Sequence, residues 1–274
     1  MQTEIKGTKG SDRRSFVKNL GMAGAGIGAF LAASGTLKAD ITDIDILQFA
    51  LNLEYLEAEF YSVARTGKTI DQLGIGITGS GTGGATTGGQ KVTFIEGSTL
   101  AASADEIGMD ERAHVTLLRN TITSLGGTPV AKPAINLGAL STGFESQEAF
   151  LNVARAFEDV GVSAYGGAAP LIQSKNILGF AARILAAEGE HAANVRLHAA
   201  LYQAPTIAVD ALDIQPPPSG KQYFSLDSNG LTAVRTPGQV LYIVYGLKAG
   251  VTSGGFYPNG VNGNINASTA AATA

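Results

Sequence analysis

The sequence predicts an all-α core, an antiparallel four-helix bundle that carries a long Gly-rich insertion and a C-terminal extension with short strands. Three observations predict it: four long segments with helical apolar spacing, a pair of Glu-x-x-His motifs, and a pair of Glu/Tyr segments that precede them. The two motifs are Glu111 to His114 and Glu188 to His191. Residues three apart share a helix face, so each motif directs a carboxylate and an imidazole to one point.

The other two long segments each carry a Glu that is followed seven residues later by a Tyr. These pairs are Glu54 with Tyr61 and Glu158 with Tyr165. Seven residues is close to two helical turns, so each Glu and its Tyr share a face. The order of a Glu/Tyr helix and then a Glu-x-x-His helix occurs twice, which indicates an internal repeat found by spacing rather than by identity.

Start and stop signals bound the four helices. The first is predicted to begin at a capping box of Thr42 and Asp45, and the second to end at Gly126-Gly127. In order, the predicted helices run over residues 43–65, 98–125, 145–165 and 175–203.

Carboxylates on apolar helix faces are costly unless they are paired or bind a metal. In a four-helix bundle, two Glu-x-x-His helices and two single-Glu helices are the donor set of a di-iron or di-manganese centre. We therefore expect two metal ions, iron or manganese, with Glu54 and Glu158 as terminal ligands, Glu111 and Glu188 as bridging ligands, and one imidazole for each metal. The candidate metal ligands are Glu54, Glu111, His114, Glu158, Glu188 and His191.

Tyr61 and Tyr165 are the candidate catalytic residues. They could donate hydrogen bonds to ligands or take part in electron transfer, and packing is the alternative for both.

Neighbouring polar residues have weaker patterns. Glu57 shares a face with Glu54 and could be a ligand, could contact a ligand, or could be a hydrogen-bond partner. We expect Glu59 and Glu190 to be solvated, and Asp159 to cap a helix or contact a ligand. We expect no metal role for His198, which has no Glu three residues before it.

With these motifs the chain resembles the ferritin-like superfamily. Residues 51–61 and 157–168 resemble the first and third helices of its desiccation-related protein family. The resemblance covers residues 41–202 and extends to residues 235–246 and 254–263. It implies a four-helix bundle with a di-metal centre and an association with stress.

The N-terminus predicts export. Residues 11–18, Ser-Asp-Arg-Arg-Ser-Phe-Val-Lys, resemble the twin-arginine motif, and a Gly/Ala-rich apolar run follows over residues 20–33. Cleavage after Ala39 would leave a periplasmic or extracellular protein without a membrane span, and a retained N-terminal anchor is the alternative. We thus divide the chain into a signal peptide (1–39), the bundle (40–203) and a C-terminal extension (204–274).

The segments outside the helices carry no recognised catalytic motif. The connection over residues 66–97 is rich in Gly and Thr and contains a G-x-G-x-x-G string, but it opens no βαβ unit, so we exclude nucleotide binding. We expect a flexible, lid-like loop with a short strand at residues 91–95. In the extension, residues 222–226 and 240–245 are predicted to be strands. We expect the end after Asn266 to be disordered.

Composition excludes several classes of function. The formal net charge of −4 and the scattered basic residues argue against a nucleic-acid partner. The absence of cysteine excludes disulfides, zinc–thiolate sites and a rubredoxin-type iron module.

Two hypotheses about function remain. The first is an exported di-metal oxidoreductase acting on oxygen or peroxide, either ferroxidase-like or catalase-like, whose partners are a small oxidant or metal ions. The second is a non-catalytic, stress-protective or metal-sequestering scaffold. A homo-oligomer is compatible with both, and a hollow storage shell is disfavoured because the insertion and the extension add bulk.

Overall fold

Four long helices dominate the structure, a computed structural model that describes residues 41–273. A Thr or Ser side chain caps the N-terminus of each of them, which satisfies backbone amides that have no partner within the helix. The all-α core predicted from the sequence is confirmed. The helices are α1 (Asp43–Thr66), α2 (Thr99–Ser124), α3 (Gln147–Ala168) and α4 (Lys175–Leu201).

Pairs of contacts show that neighbouring helices run antiparallel. Near one end of the bundle, Arg65 of α1 pairs with Asp105 of α2 at 2.6 Å. Further along α2, Arg119 donates to the hydroxyl of Tyr55, which lies earlier in α1, at 2.5 Å. Helices α3 and α4 are also antiparallel: Asp159 of α3 pairs with Arg196, whereas Gly161, later in α3, lies against Glu188, earlier in α4.

The two loops that precede α2 and α3 pack against each other. Strand β1 (Thr86–Thr87) pairs in parallel with strand β2 (Ile135–Asn136). The predicted strand at residues 91–95 is wrong. This segment is not paired with another strand, because the Val92 amide donates to the Ala64 carbonyl at the end of α1, at 2.8 Å.

The C-terminal extension packs across the bundle, and its predicted strands are wrong. The apolar run at residues 240–245 lies mostly in a fifth helix, α5 (Pro237–Val244), because Thr236 and Gln239 form a capping box and Pro237 occupies the first turn. The other predicted strand, 222–226, makes only an isolated bridge from Leu226 to Thr232.

The end of the chain is ordered up to residue 273, contrary to prediction. Ser268 is buried, and its hydroxyl donates to the Lys248 carbonyl at 2.7 Å. Ala272 is buried as well. The small side chains of this segment pack against the rest of the extension, so the Ala/Thr-rich composition does not produce disorder here.

Buried ion pairs join the extension to α3. Arg155 of α3, which is completely buried, pairs with Asp213 of the extension at 2.5 Å. Arg235 pairs with Asp210 within the extension at 2.6 Å and donates to the Ser163 hydroxyl of α3 at 2.7 Å. Asp159 lies between Arg155 and Arg196. The expectation that Asp159 caps a helix or contacts a metal ligand is therefore wrong, since its carboxylate is used by arginines.

Within residues 41–273, no helix combines the length and apolar character that crossing a bilayer requires. The twin-arginine motif lies outside the described residues.

Candidate metal centre

The six predicted ligands lie together, buried between the four helices. They form two overlapping groups, and within each group the potential donor atoms lie within 4.8 Å of one another. Both Glu111 and Glu188 belong to both groups. The first group is Glu54, Glu111, His114 and Glu188, and the second is Glu111, Glu158, Glu188 and His191.

In the first group, the imidazole of His114 faces carboxylates from three helices. Its Nδ1 lies 3.3 Å from Glu54 Oε2, 3.4 Å from Glu111 Oε2 and 3.6 Å from Glu188 Oε1. One nitrogen thus meets oxygens of α1, α2 and α4 at a single point.

The second group repeats this arrangement around His191. Its Nδ1 lies 3.1 Å from Glu111 Oε1 and 3.3 Å from Glu158 Oε2. The two imidazole rings are 6.3 Å apart between centroids. The repeat seen along the sequence is therefore present in space, with the shared carboxylates between the two histidines.

The two tyrosines cross over between the repeats. Tyr61 of α1 donates to Glu158 of α3, and Tyr165 of α3 donates to Glu54 of α1. The seven-residue spacing correctly places each Tyr on the face of its own Glu, but α1 and α3 run antiparallel, so each hydroxyl reaches the Glu of the opposite helix. Tyr61 also packs edge-on against Phe150.

The unpaired atoms of the cluster fit two metal ions. Among residues 41–273, no hydrogen-bond partner is present for either oxygen of Glu111 or Glu188, or for Nδ1 of either histidine. Glu54 and Glu158 each have one such oxygen, Oε2, because the tyrosines occupy Oε1. Buried polar atoms without partners are costly, and a pair of cations would satisfy all of them.

The negative charge of the buried carboxylates also favours bound cations. Burial alone would lower the pKa of His114, but the charge of Glu54 and its contact with Glu111 outweigh it and raise that pKa to about 11. Burial is likewise outweighed at His191 by Glu111 and Glu158, which raise its pKa to about 12.

The pKa values of the two shared carboxyl groups are also raised. Burial, with the charge of Glu54, raises the pKa of Glu111 to about 7. Burial and the charge of Glu111 raise the pKa of Glu188 well above its usual range. Metal binding displaces protons from such ligands, and four ligand carboxylates would neutralise two divalent cations.

Glu57 lies at the edge of the centre rather than in either group. Burial and the negative charges of Glu188 and Glu111 raise its pKa well above the ordinary value. Opposite it is Gly161, where a Cβ atom would lie 3.4 Å from Glu57 Oε1 and in collision with Glu188 Oε2. A glycine in α3 thus makes room for two carboxyl groups.

Asp110 is a functional candidate that the sequence did not predict. Its Oδ2 lies 3.2 Å from Nε2 of His191, on the side of the ring opposite Nδ1. A carboxylate at this position fixes the orientation of a metal-binding imidazole. Asp110 directly precedes Glu111, but only the register between α2 and α4 shows that it meets His191.

The expectation of a solvated Glu59 is wrong. It is completely buried, and its Oε1 lies 3.4 Å from Nζ of Lys132, in the loop before α3 that covers this face of α1. Glu190 is exposed, as expected. His198 lies outside both groups and contacts Thr99 and Asn194 instead.

The fold and this cluster define a ferritin-like protein. Residues 42–201 match the ferritin-like domain family, and the chain belongs to that family. Among characterised proteins, it is similar to the ferritin-like catalase Nec2 of Nesocodon mauritianus, with 26% identity across 82% of this chain and 85% of that protein.

Proposed function

We propose that this protein binds two iron or manganese ions at the Glu/His cluster and disproportionates hydrogen peroxide. The observation that carries the proposal is that the two groups of donor atoms share Glu111 and Glu188, whose four oxygens have no partner among residues 41–273. The mixed oxygen and nitrogen donors suit iron and manganese. The similarity to a protein named a ferritin-like catalase favours peroxide over other oxidants.

The atoms without hydrogen-bond partners in the described part of the chain support a different role for each pair of carboxylates. Glu111 and Glu188 have both oxygens available, as a bridging ligand requires. Glu54 and Glu158 each have one, as a terminal ligand requires. His114 would complete one metal site and His191 the other.

The bound metal pair would supply two-electron redox chemistry. In the overall reaction, one peroxide is oxidised to oxygen with loss of two protons and two electrons, and a second takes them up to form two waters. Tyr61 and Tyr165 hold the terminal carboxylates in place and stay protonated, because burial and the neighbouring Glu158 and Glu54 raise their pKa well above the ordinary value. Asp110 orients His191.

The test is metal analysis combined with oxygen evolution from peroxide. The protein loaded with iron or manganese should hold about two ions per chain and release oxygen. Glu188→Gln should lose metal and activity, because it removes a ligand from both groups. Glu190→Gln is the matched control on the same helix, and it should retain both because Glu190 is exposed.

Two results would count against the proposal. Two ions per chain in Glu188→Gln would contradict the ligand assignment. Full metal loading without oxygen evolution for either metal would contradict peroxide chemistry and favour a metal-sequestering role.

We propose further that the protein is exported through the twin-arginine pathway to the periplasm or beyond. The motif at Arg13 and Arg14 and the apolar run after it support this. Lysine substitution of both arginines should leave the protein in the cytoplasmic fraction, and unchanged export of that variant would contradict the proposal.

A further inference from the structure

An apolar cavity of about 170 Å³ lies beside the metal centre, among α1, α3, α4 and the extension. Aliphatic and aromatic side chains form most of its wall, among them Leu53, Phe157, Ile184 and Phe256. The proposed reaction with peroxide does not require such a wall.

The inner end of the cavity is also the wall of the metal centre. Glu57, Gly161 and Tyr165 line it. Tyr165 donates to Glu54, and Gly161 lies against Glu188, so two of these three inner residues contact proposed ligands directly. A molecule in the cavity would therefore lie next to the ligands of both metals.

The outer part of the cavity is accessible from solvent. Three of its lining residues are exposed leucine or isoleucine side chains: Leu140 is 45% exposed, Ile207 65% and Leu247 48%. Exposed large apolar side chains at a pocket mouth offer an entering apolar molecule contact before it is fully buried.

The wall selects against peroxide and against anions. Most of it offers no hydrogen-bond partner, so a polar molecule would lose its hydration without compensation. An anionic group at the inner end would face Glu57 beside the ligand carboxylates. Apolar molecules meet neither penalty, and an apolar cavity of about 150 Å³ is large enough for benzene.

We propose that this cavity binds a small, neutral, mainly apolar molecule, about the size of benzene or hexanol, whose polar group, where it has one, is placed at Glu57. The cavity shares a wall with the proposed metal centre. Its occupancy does not depend on peroxide turnover, so the two proposals can fail independently.

Titration calorimetry on the full-length protein tests the proposal, with 1-hexanol and benzene as neutral probes and hexanoate as the anionic one. Both neutral probes should bind saturably at one site per chain. Hexanoate should bind at least about tenfold more weakly than 1-hexanol, because its carboxylate would lose its hydration against an apolar wall.

Two adjacent alanines of α4 give a matched pair of variants. Ala181 lines the cavity, whereas Ala182 is exposed and does not. Ala181→Leu should exclude about two methylene groups of the probe and weaken 1-hexanol binding about tenfold. Ala182→Leu should leave it unchanged. Ala50→Leu fills the cavity from α1 and serves if Ala181→Leu does not fold.

Three results would overturn the proposal. One is the absence of saturable binding of both neutral probes. Another is equal 1-hexanol affinity in the cavity-filling variant and in Ala182→Leu. The third is hexanoate affinity equal to that of 1-hexanol, which would contradict the neutral character of the ligand.

Discussion

Gly161→Ala should damage the metal centre through a single added methyl group. The Cβ atom would lie closer than 3.0 Å to Glu188 Oε2, a distance that real Cβ atoms essentially never show. Glu188 must then move. Because it belongs to both donor groups, both proposed metal sites would lose a well-placed ligand.

The expected size of the effect follows from how closely ligands must be held. Functional groups have to stay within about 0.5 Å of the productive geometry, and a misplacement of about 1 Å can lower a rate about 100-fold. We therefore expect metal affinity to fall at least about tenfold and peroxide turnover about 100-fold.

Gly189→Ala is the matched control. It makes the same change between Glu188 and His191, but nothing lies within 4 Å of its added Cβ. Alanine is favoured over glycine in a helix interior by about 1 kcal/mol, which should raise Tm by about 2–4 °C in a protein of this size. Metal content should not change.

The assay is elemental analysis and oxygen evolution on both variants, with a thermal melt of the metal-free proteins. The atom that the added Cβ meets is the end of the flexible Glu188 side chain, so metal content rather than Tm distinguishes the two variants. If Gly161→Ala kept two ions per chain as Gly189→Ala does, the proposed packing around Glu188 would be refuted.

Three further outcomes follow from the site. Tyr165→Phe should leave a buried oxygen of Glu54 without its donor and cost about 1–3 kcal/mol of unfolding free energy, and an unchanged urea midpoint would contradict this. Asp110→Asn should weaken metal binding about 10–100-fold by releasing His191, which a competition titration with a chelator measures; unchanged affinity would remove Asp110 from the site. The metal-free protein should lose stability as pH rises from 4.5 to about 7. The reason is that the folded-state pKa of Glu111 is raised to about 7, so its protonated form favours the folded state. Thermal melts at pH 5 and pH 8 should show a lower Tm at pH 8, and the opposite order would contradict the burial of this carboxyl.

The sequence predicted the helical core well because spacing within one helix is a local property. Thr42 and the glycines after α2 marked helix ends correctly within about one residue. The Glu-x-x-His and Glu/Tyr spacings brought the right side chains to the bundle interior, since residues three or seven apart share a face in any straight helix.

Contacts between elements were harder to predict. The partner of each tyrosine, the place of Asp110 and the burial of Glu59 depend on the register between helices and on the loop that covers α1. An apolar run such as residues 240–245 fits a strand and a buried helix equally well. There the capping box of Thr236 and Gln239 decided for helix, and it was visible in the sequence.

The crossed tyrosines and the shared glutamates bear on how the protein matures. Neither helical hairpin can hold the metal pair by itself, because each contributes only half of the carboxylates and lacks the glutamate to which its own tyrosine donates. A ribosome must release the chain past His191 before all six proposed ligands can meet. Loading of the full centre would thus show that synthesis has passed His191, since a chain truncated before that residue lacks one of the six proposed ligands.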